Sequence, residues 1–349
     1  MPDRLAALEG VILGTAVGDA LGLPREGLSP NRARALFGGA PLQHRFLPGW
    51  GMMSDDTEHT CLVAQALLRS GTDVVRFRQA LGWGLRGWLL TVPAGIGKAT
   101  LLACLKLCLG FPPTHSGVHS AGNGPAMRAA LLGVFLGDDL PRLRCFVLAC
   151  TVITHTDRRA ELASRWIALA AHHGAQGLPP ETFLAVARQE AADSADLLTL
   201  LDQIEQHLAR QADVAEFAAA LGLTRGVTGY ILHTVPVVLY AWLRWPGEFR
   251  RAVEEVILLG GDADTTGAII GALMGATLGP GQIPAEWLRL LEWPRSATWM
   301  RRLAGRLASP PPRRPLRLFW PALWPRNLFF FLIVLAHLVR RCLPPYWSR

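Results

Sequence analysis

Two acidic clusters constrain this chain more than any other feature. Ser54-Asp55-Asp56-Thr57 and Asp262-Ala263-Asp264-Thr265 lie far apart in the sequence, yet each sets two carboxylates beside a hydroxyl at the head of a small, apolar, helical-looking segment. A fold that brings them together places four carboxylates side by side, and these repel unless cations sit between them. Hard divalent cations such as Mg²⁺ or Mn²⁺ take oxygen ligands of this kind. The pair of clusters therefore reads as the two halves of a two-metal hydrolytic centre.

The 349 residues are enough for one large domain or two, each with a substantial core. Half the residues are apolar and only 18% are charged. Few runs alternate with β-branched residues, so a compact, all-α fold is favoured over a sheet protein. Apolar spacing predicts helices over 5–22, 55–70, 73–90, 97–109, 124–136, 140–153, 158–173, 181–209, 228–243, 247–259 and 265–278, with a Pro- and Gly-rich loop from the end of the first through about Trp50. Gly267, Gly271 and Gly275 suit close helix packing. The six cysteines (61, 104, 108, 145, 150 and 342) form no CxxC pair and read as buried, reduced thiols of a cytosolic protein. Asp3, Arg4 and Glu9 interrupt the first apolar stretch, so no signal peptide is expected.

The net charge of +8 is unevenly distributed. No acidic residue follows Glu292, whereas eleven arginines lie from Arg295 onward; without them 24 basic residues face 27 acidic ones. The body is mildly acidic, which removes the main support for nucleic-acid binding. Division into a body, 1–307, and a tail, 308–349, is expected. Ser309-Pro310-Pro311-Pro312-Arg313-Arg314-Pro315 reads as a stiff basic linker. Beyond it the run Leu328–Val339 is broken only by His337 and is shorter than the roughly 20 residues of a spanning helix. Trp320, Trp324, Trp347, Arg340 and Arg341 flank it, as at a membrane–water interface. Peripheral membrane association is therefore expected, with packing on the body or a partner as the alternative.

At a helix N-terminus adjacent carboxylates can converge on neighbouring cations, and free N–H groups favour anions. Asp55 and Asp56 have that placement. Asp262 and Asp264 can project to one side if their stretch is extended after Gly260-Gly261. These residues resemble the ADP-ribosylglycohydrolase family. The resemblance rests on Gly14-Thr15-Ala16-Val17-Gly18-Asp19-Ala20-Leu21-Gly22, on Ser54-Asp55-Asp56-Thr57, and on Gly261-Asp262-Ala263-Asp264-Thr265-Thr266-Gly267-Ala268-Ile269-Ile270-Gly271. Ser120-Ala121-Gly122-Asn123-Gly124-Pro125-Ala126-Met127-Arg128 and Thr154-His155-Thr156-Asp157 support it.

The resemblance implies a compact, all-α multi-helix bundle with a central metal-lined cleft, a hydrolase that removes ADP-ribose from a modified acceptor: a protein side chain, a nucleic-acid end or a small molecule. It implies that Ser54, Asp55, Asp56, Asp262, Asp264 and Thr265 ligate two Mg²⁺ or Mn²⁺ ions. Glu26 matches a loop glutamate acting near the scissile bond, and Glu26 or Asp56 would take the proton of the attacking water. Ser120, Gly122, Asn123 and Gly124 would hold the diphosphate and ribose, with His155 against the distal ribose or its phosphate. A binding protein without turnover and a crystallin-like scaffold are the alternatives. Asp19 is expected to bond helix ends, His115 and His119 to face solvent, and Trp83 and Trp88 to pack in the core. Gly95-Ile96-Gly97-Lys98-Ala99-Thr100 lacks the first glycine and the Ser/Thr of a phosphate loop. No Gly-x-Ser-x-Gly element supports a serine hydrolase.

Overall fold

The computed structural model describes residues 3–309 and 314–342. Among them are seventeen α-helices and no sheet, only isolated bridges, as an all-α fold requires. Trp347 and most of the proline-rich linker lie outside the described residues.

The first helix, Arg4–Gly22, starts on Asp3, whose carboxylate accepts the Ala6 N–H at 2.7 Å. From Gly10 to Gly22 every residue is buried. A helix apolar on all sides belongs inside a core, and its partner there is the Ala263–Leu278 helix, which runs antiparallel to it. Gly10, Gly14, Gly18 and Gly22 recur every fourth residue and so form one ridge. Gly275, Gly271, Gly267 and Ala263 face them in turn. A Cβ on Gly14 would stand 2.0 Å from the Gly271 carbonyl oxygen, and one on Gly18 would stand 1.9 Å from that of Gly267. The two backbones touch with no side chain between them, which fixes their register.

Most predicted helices are present. The stretch 181–209 divides into Pro180–Glu190 and Ala195–Ala209, because Asp193 and Ser194 favour a turn and a cap over a helix interior. Pro30–Phe37, inside the expected loop, is helical, with Pro30 in the first turn, where its missing N–H costs nothing. Val214–Ala220 and Ala297–Ala308 also escaped the apolar pattern. Trp88 is buried as expected, but Trp83 is 67% exposed and carries the Arg86 guanidinium 4.4 Å above its ring. Cys61, Cys104 and Cys150 are buried, whereas Cys108, Cys145 and Cys342 are exposed, which corrects the expectation of mostly buried thiols.

The tail forms a 20-residue helix, Leu323–Cys342, longer than the apolar run suggested. Its polar residues share the face turned to the body. Asn327 donates to the Thr91 carbonyl at 2.8 Å, and His337 Nε2 meets the Phe46 carbonyl at 2.7 Å. Phe330 packs on Phe46, and Arg326 pairs with Glu292 and reaches Glu58 at 3.5 Å. Glu58 also accepts from Arg295 and from the Trp88 indole, each at 2.5 Å. Among the described residues two helical segments are long and apolar enough to cross a membrane: Arg4–Arg25, 83% buried, and Trp320–Cys342, only 22% buried. The first is core; the second lies on the surface with an apolar outer face.

Gly14→Ala or Gly271→Ala forces a methyl into backbone and is expected to lower unfolding free energy by at least about 1–3 kcal/mol. Gly247→Ala, where a Cβ meets nothing within 4 Å, is the control. Urea midpoints that fell no further for Gly14→Ala than for Gly247→Ala would contradict the ladder.

Candidate active site

The glycine ladder sets the C-terminal end of the first helix against the N-terminal end of the Ala263–Leu278 helix, so Asp19 and Asp264 occupy the same end of the pair. Asp19 works as expected. Its carboxylate accepts the Ser54 N–H at 2.9 Å, the Thr57 N–H at 3.1 Å and the Thr57 hydroxyl at 2.6 Å. It therefore closes the N-terminus of the Asp55–Ser70 helix from outside that helix. Ser54 is the N-cap, and its Oγ lies 3.3 Å from the Asp56 N–H and 3.0 Å from Asp56 Oδ2.

The second cluster enters from a crossing of strand-like segments. Gly260 and Gly261 adopt φ of +68° and +76°. Gly261 N–H donates to Leu28 at 2.7 Å, and Asp262 N–H donates to Val227 at 2.7 Å. A Cβ on Gly261 would lie 2.0 Å from the Val227 carbonyl oxygen, so both conformation and space demand glycine. The chain then turns into the Ala263–Leu278 helix, and Asp264 stands in its first turn. Glu26 reaches the same helix end, its Oε2 accepting the Ala263 N–H at 3.1 Å.

The fold does bring the two clusters together. Thr265 Oγ1 donates to Asp56 Oδ2 at 3.3 Å, and Glu26, Asp262 and Asp264 each present a carboxylate oxygen within 4.8 Å of the others. Burial and mutual repulsion disfavour the charged forms: Glu26, Asp55 and Asp56 are pushed well up, Asp264 to about 7 and Asp19 to about 6. Asp56 Oδ1 is buried without a hydrogen-bond partner. An orphaned carboxylate oxygen beside an all-oxygen acidic group is what a hard cation would satisfy. The donor set therefore fits divalent metal.

These residues floor a cleft of about 410 Å³. One flank carries Ser120, Gly122, Asn123, Gly124 and His155. The glycines lie directly over the His155 ring, which a Cβ at Gly122 or Gly124 would approach to 3.0 Å. Burial and the nearby Arg128 lower the His155 pKa to about 3, so the ring is neutral and offers a dipole, not a charge. Ser120 Oγ accepts the Gly122 N–H at 3.2 Å and holds the loop shape.

Two placements differ in detail from the sequence reading. Asn123 commits its amide to Asp262, at 2.7 Å, and to Thr234, at 3.0 Å; it orients a carboxylate. Asp56 is 1% exposed and does not itself line the cleft; its Oδ2 meets Ser54 Oγ and Thr265 Oγ1, which do. Glu26, on a turn as expected, groups with Asp262 and Asp264. His115 and His119 are exposed as expected, and His119 lies 3.7 Å from Asp157.

Sequence reasoning missed two parts of the wall. The segment dismissed as a phosphate loop lines the cleft through Gly95, Gly97, Lys98 and Thr100; its glycine-flanked entry into the Lys98–Cys108 helix was the available signal. The tail helix contributes Phe330, Val334, His337, Leu338 and Arg341, and nothing in its sequence pointed toward the acidic clusters.

The sequence profile described as ADP-ribosylglycohydrolase matches residues 1–315. The chain belongs to this family. It is 28% identical over 294 residues to the ADP-ribosyl-[dinitrogen reductase] glycohydrolase of Rhodospirillum rubrum, covering 81% of this chain and 89% of that one. It is 30% identical over 230 residues to an ADP-ribosylhydrolase of Xenopus tropicalis, covering 55% and 64%. A solved structure titled ADP-ribosylglycohydrolase-related protein complex superposes with a TM-score of 0.63 at 31% identity, covering 88% of this chain and 98% of that chain. Family membership makes the chain a hydrolase of glycosyl bonds.

The raised carboxyl pKa values have a consequence for metal-free protein. Asp19 and Asp264 titrate near 6 and 7 when folded, against 3.8 as the ordinary value. The folded chain thus holds protons that the unfolded chain has released, and stability falls as pH rises through about 4 to 7. Thermal midpoints in EDTA are expected to drop across that window, and Mn²⁺ is expected to reverse the drop. A midpoint in EDTA that rose from pH 5 to 7 would contradict the crowded arrangement.

Proposed function

We propose that this chain is a divalent-metal-dependent hydrolase that cleaves the glycosidic bond between ADP-ribose and a modified acceptor, principally a protein side chain, and so reverses ADP-ribosylation. The observation that carries the reading is the convergence of Glu26, Asp55, Asp262 and Asp264 on the floor of one cleft whose flank is a glycine loop over a neutral histidine. The reducing cytosol suits its six free cysteines.

In this reading Ser54, Asp55, Asp56, Asp262, Asp264 and Thr265 hold two Mg²⁺ or Mn²⁺ ions. Bound metal would neutralise the carboxylates, orient the ribose hydroxyls and lower the pKa of the attacking water. The protein does the rest. Ser120 Oγ and the Gly229 carbonyl hold the Gly122 and Asn123 N–H groups, which shapes the loop so that the Gly124 N–H faces the diphosphate, and His155 supports the loop from below. Asn123 keeps Asp262 pointed at the floor. Loss of the leaving group gives the sugar oxocarbenium character, which a floor of carboxylates stabilises. Glu26 takes the water proton, because it lines the cleft whereas Asp56 is buried and does not.

The test is ADP-ribose release from ADP-ribosylated arginine and serine peptides with and without Mg²⁺. Asp55→Ala and Asp264→Ala are expected to lose more than about a hundredfold in kcat/KM, and Glu26→Gln about 10²–10⁴ in kcat. ADP-ribose binding without release from any acceptor would leave a binding protein in place of the enzyme.

The outer face of the tail helix supports a second element of the proposal, contact with an anionic membrane surface. Leu328, Phe329, Phe331, Leu332, Leu335 and Val339 are all at least 40% exposed. No acidic residue follows Glu292, and Arg317 and Arg340 are also on this segment, so its charge suits anionic headgroups. Full-length protein is expected to sediment with phosphatidylserine vesicles, and Phe331→Ser with Leu335→Ser to stay in solution. Equal partitioning of the two proteins removes the membrane from the account.

A further inference from the structure

Asn123 joins the glycine loop to Asp262, and Glu26 meets the same acidic group from the turn that follows the first helix. A substrate whose diphosphate rests on the glycine loop and whose anomeric carbon lies over the floor must send its leaving group past Glu26. There the cleft is walled by Leu23, Phe46 and the tail helix. The helix, Leu323–Cys342, lies beyond the family match, which stops at residue 315. The superposed structure is covered to 98% by only 88% of this chain.

The wall is apolar through Phe330, Val334 and Leu338, and it carries one cation, Arg341. Arg341 Nη2 donates to the Pro24 carbonyl at 3.2 Å, two residues before Glu26, and the field of Glu26 acts on it. Its backbone carbonyl accepts from Arg32 at 2.7 Å, which holds this end of the helix in place. Its Nε is buried with no hydrogen-bond partner. That N–H is closed off from the cleft, but the guanidinium lines it, and a guanidinium at a cleft wall is a receptor for an oxyanion. His337, the neighbouring polar group, already meets the Phe46 carbonyl through Nε2 and stacks on the Phe46 ring.

Resting on the ADP-ribosyl hydrolase reading above, we propose that the C-terminal helix forms the leaving-group wall of the cleft and that Arg341 selects an anionic oxygen leaving group, a carboxylate or a phosphate, over a cationic guanidinium. The chemistry balances without a further acid. The water oxygen bonds to the anomeric carbon as the bond to the leaving oxygen breaks, and that electron pair departs on the leaving oxygen. A carboxylate or phosphate is stable as the anion, while the water proton goes to Glu26. A guanidinium substituent is already protonated and departs as neutral guanidine, so no acid separates the two classes; the discrimination comes from Arg341, which is permanently charged and repels that cation before reaction.

The experiment compares three substrates: ADP-ribose 1″-phosphate, a peptide carrying ADP-ribosyl glutamate, and a peptide carrying ADP-ribosyl arginine. Wild-type full-length protein with Mn²⁺ is expected to favour the first two over the third in kcat/KM. Arg341→Gln is expected to shrink that ratio by about tenfold or more, and Arg341→Glu further, whereas Arg341→Lys keeps most of it. The relative rates on the phosphate and the glutamate ester tell the two oxyanion sources apart. A second readout needs no turnover: in EDTA, Arg341→Gln should weaken binding of ADP-ribose 1″-phosphate about tenfold and leave ADP-ribose binding unchanged. A wild-type preference for the arginine peptide, or a ratio unmoved in Arg341→Gln with an unaltered melting temperature, overturns the assignment and leaves the hydrolase. Release from none of the three substrates overturns both.

Discussion

The site depends on backbone-to-backbone contact between the first helix and the Ala263–Leu278 helix. With glycine at every fourth position the two axes approach until carbonyl oxygens fill the space of the missing Cβ atoms. Such packing allows little sliding, because any shift would drive a larger neighbour into backbone. The register that results is also the register of the chemistry. Asp19 near one helix end braces the Asp55–Ser70 helix, while the opposite strand of the ladder delivers Asp264 to the same place. A framework this rigid is a reasonable foundation for a floor whose components repel one another.

That repulsion is the second constraint. Isolated buried carboxylates escape desolvation by taking up protons, and in the absence of cations Glu26, Asp55, Asp56 and Asp264 all move that way. The fold spends part of its stability to hold them together. Asp19 is the exception in role: its hydrogen bonds go to backbone and hydroxyl groups, so it acts as an internal cap and not as part of the charged floor.

The sequence made the helical class, the core helices and the acidic clusters readable, because each has a local signature: apolar period, glycine spacing, a hydroxyl before a carboxylate pair. It made the role of Asn123 unreadable, since an amide among glycines looks the same whether it faces a ligand or a carboxylate across the fold. Asp56 and Asp55 are likewise indistinguishable as letters, and only the turn of the helix puts one in the cleft lining and buries the other beneath the hydroxyls of Ser54 and Thr265. The tail was misjudged in length because its polar residues interrupt the apolar run; in three dimensions those residues are the docking face. Residues that satisfy distant partners carry no mark of it in the sequence.

The buried charges beneath the tail extend this point. Glu58, one turn beyond Asp55, is shared by Arg295 and by Arg326 of the tail helix, and Arg326 also holds Glu292. Taking the tail away would leave Glu292 without that cation in a place water scarcely reaches, next to the helix that presents the aspartates. The ion pairs of the tail thus reach from beyond the family match into the body, and losing them would re-solvate an acid at the back of the acidic floor.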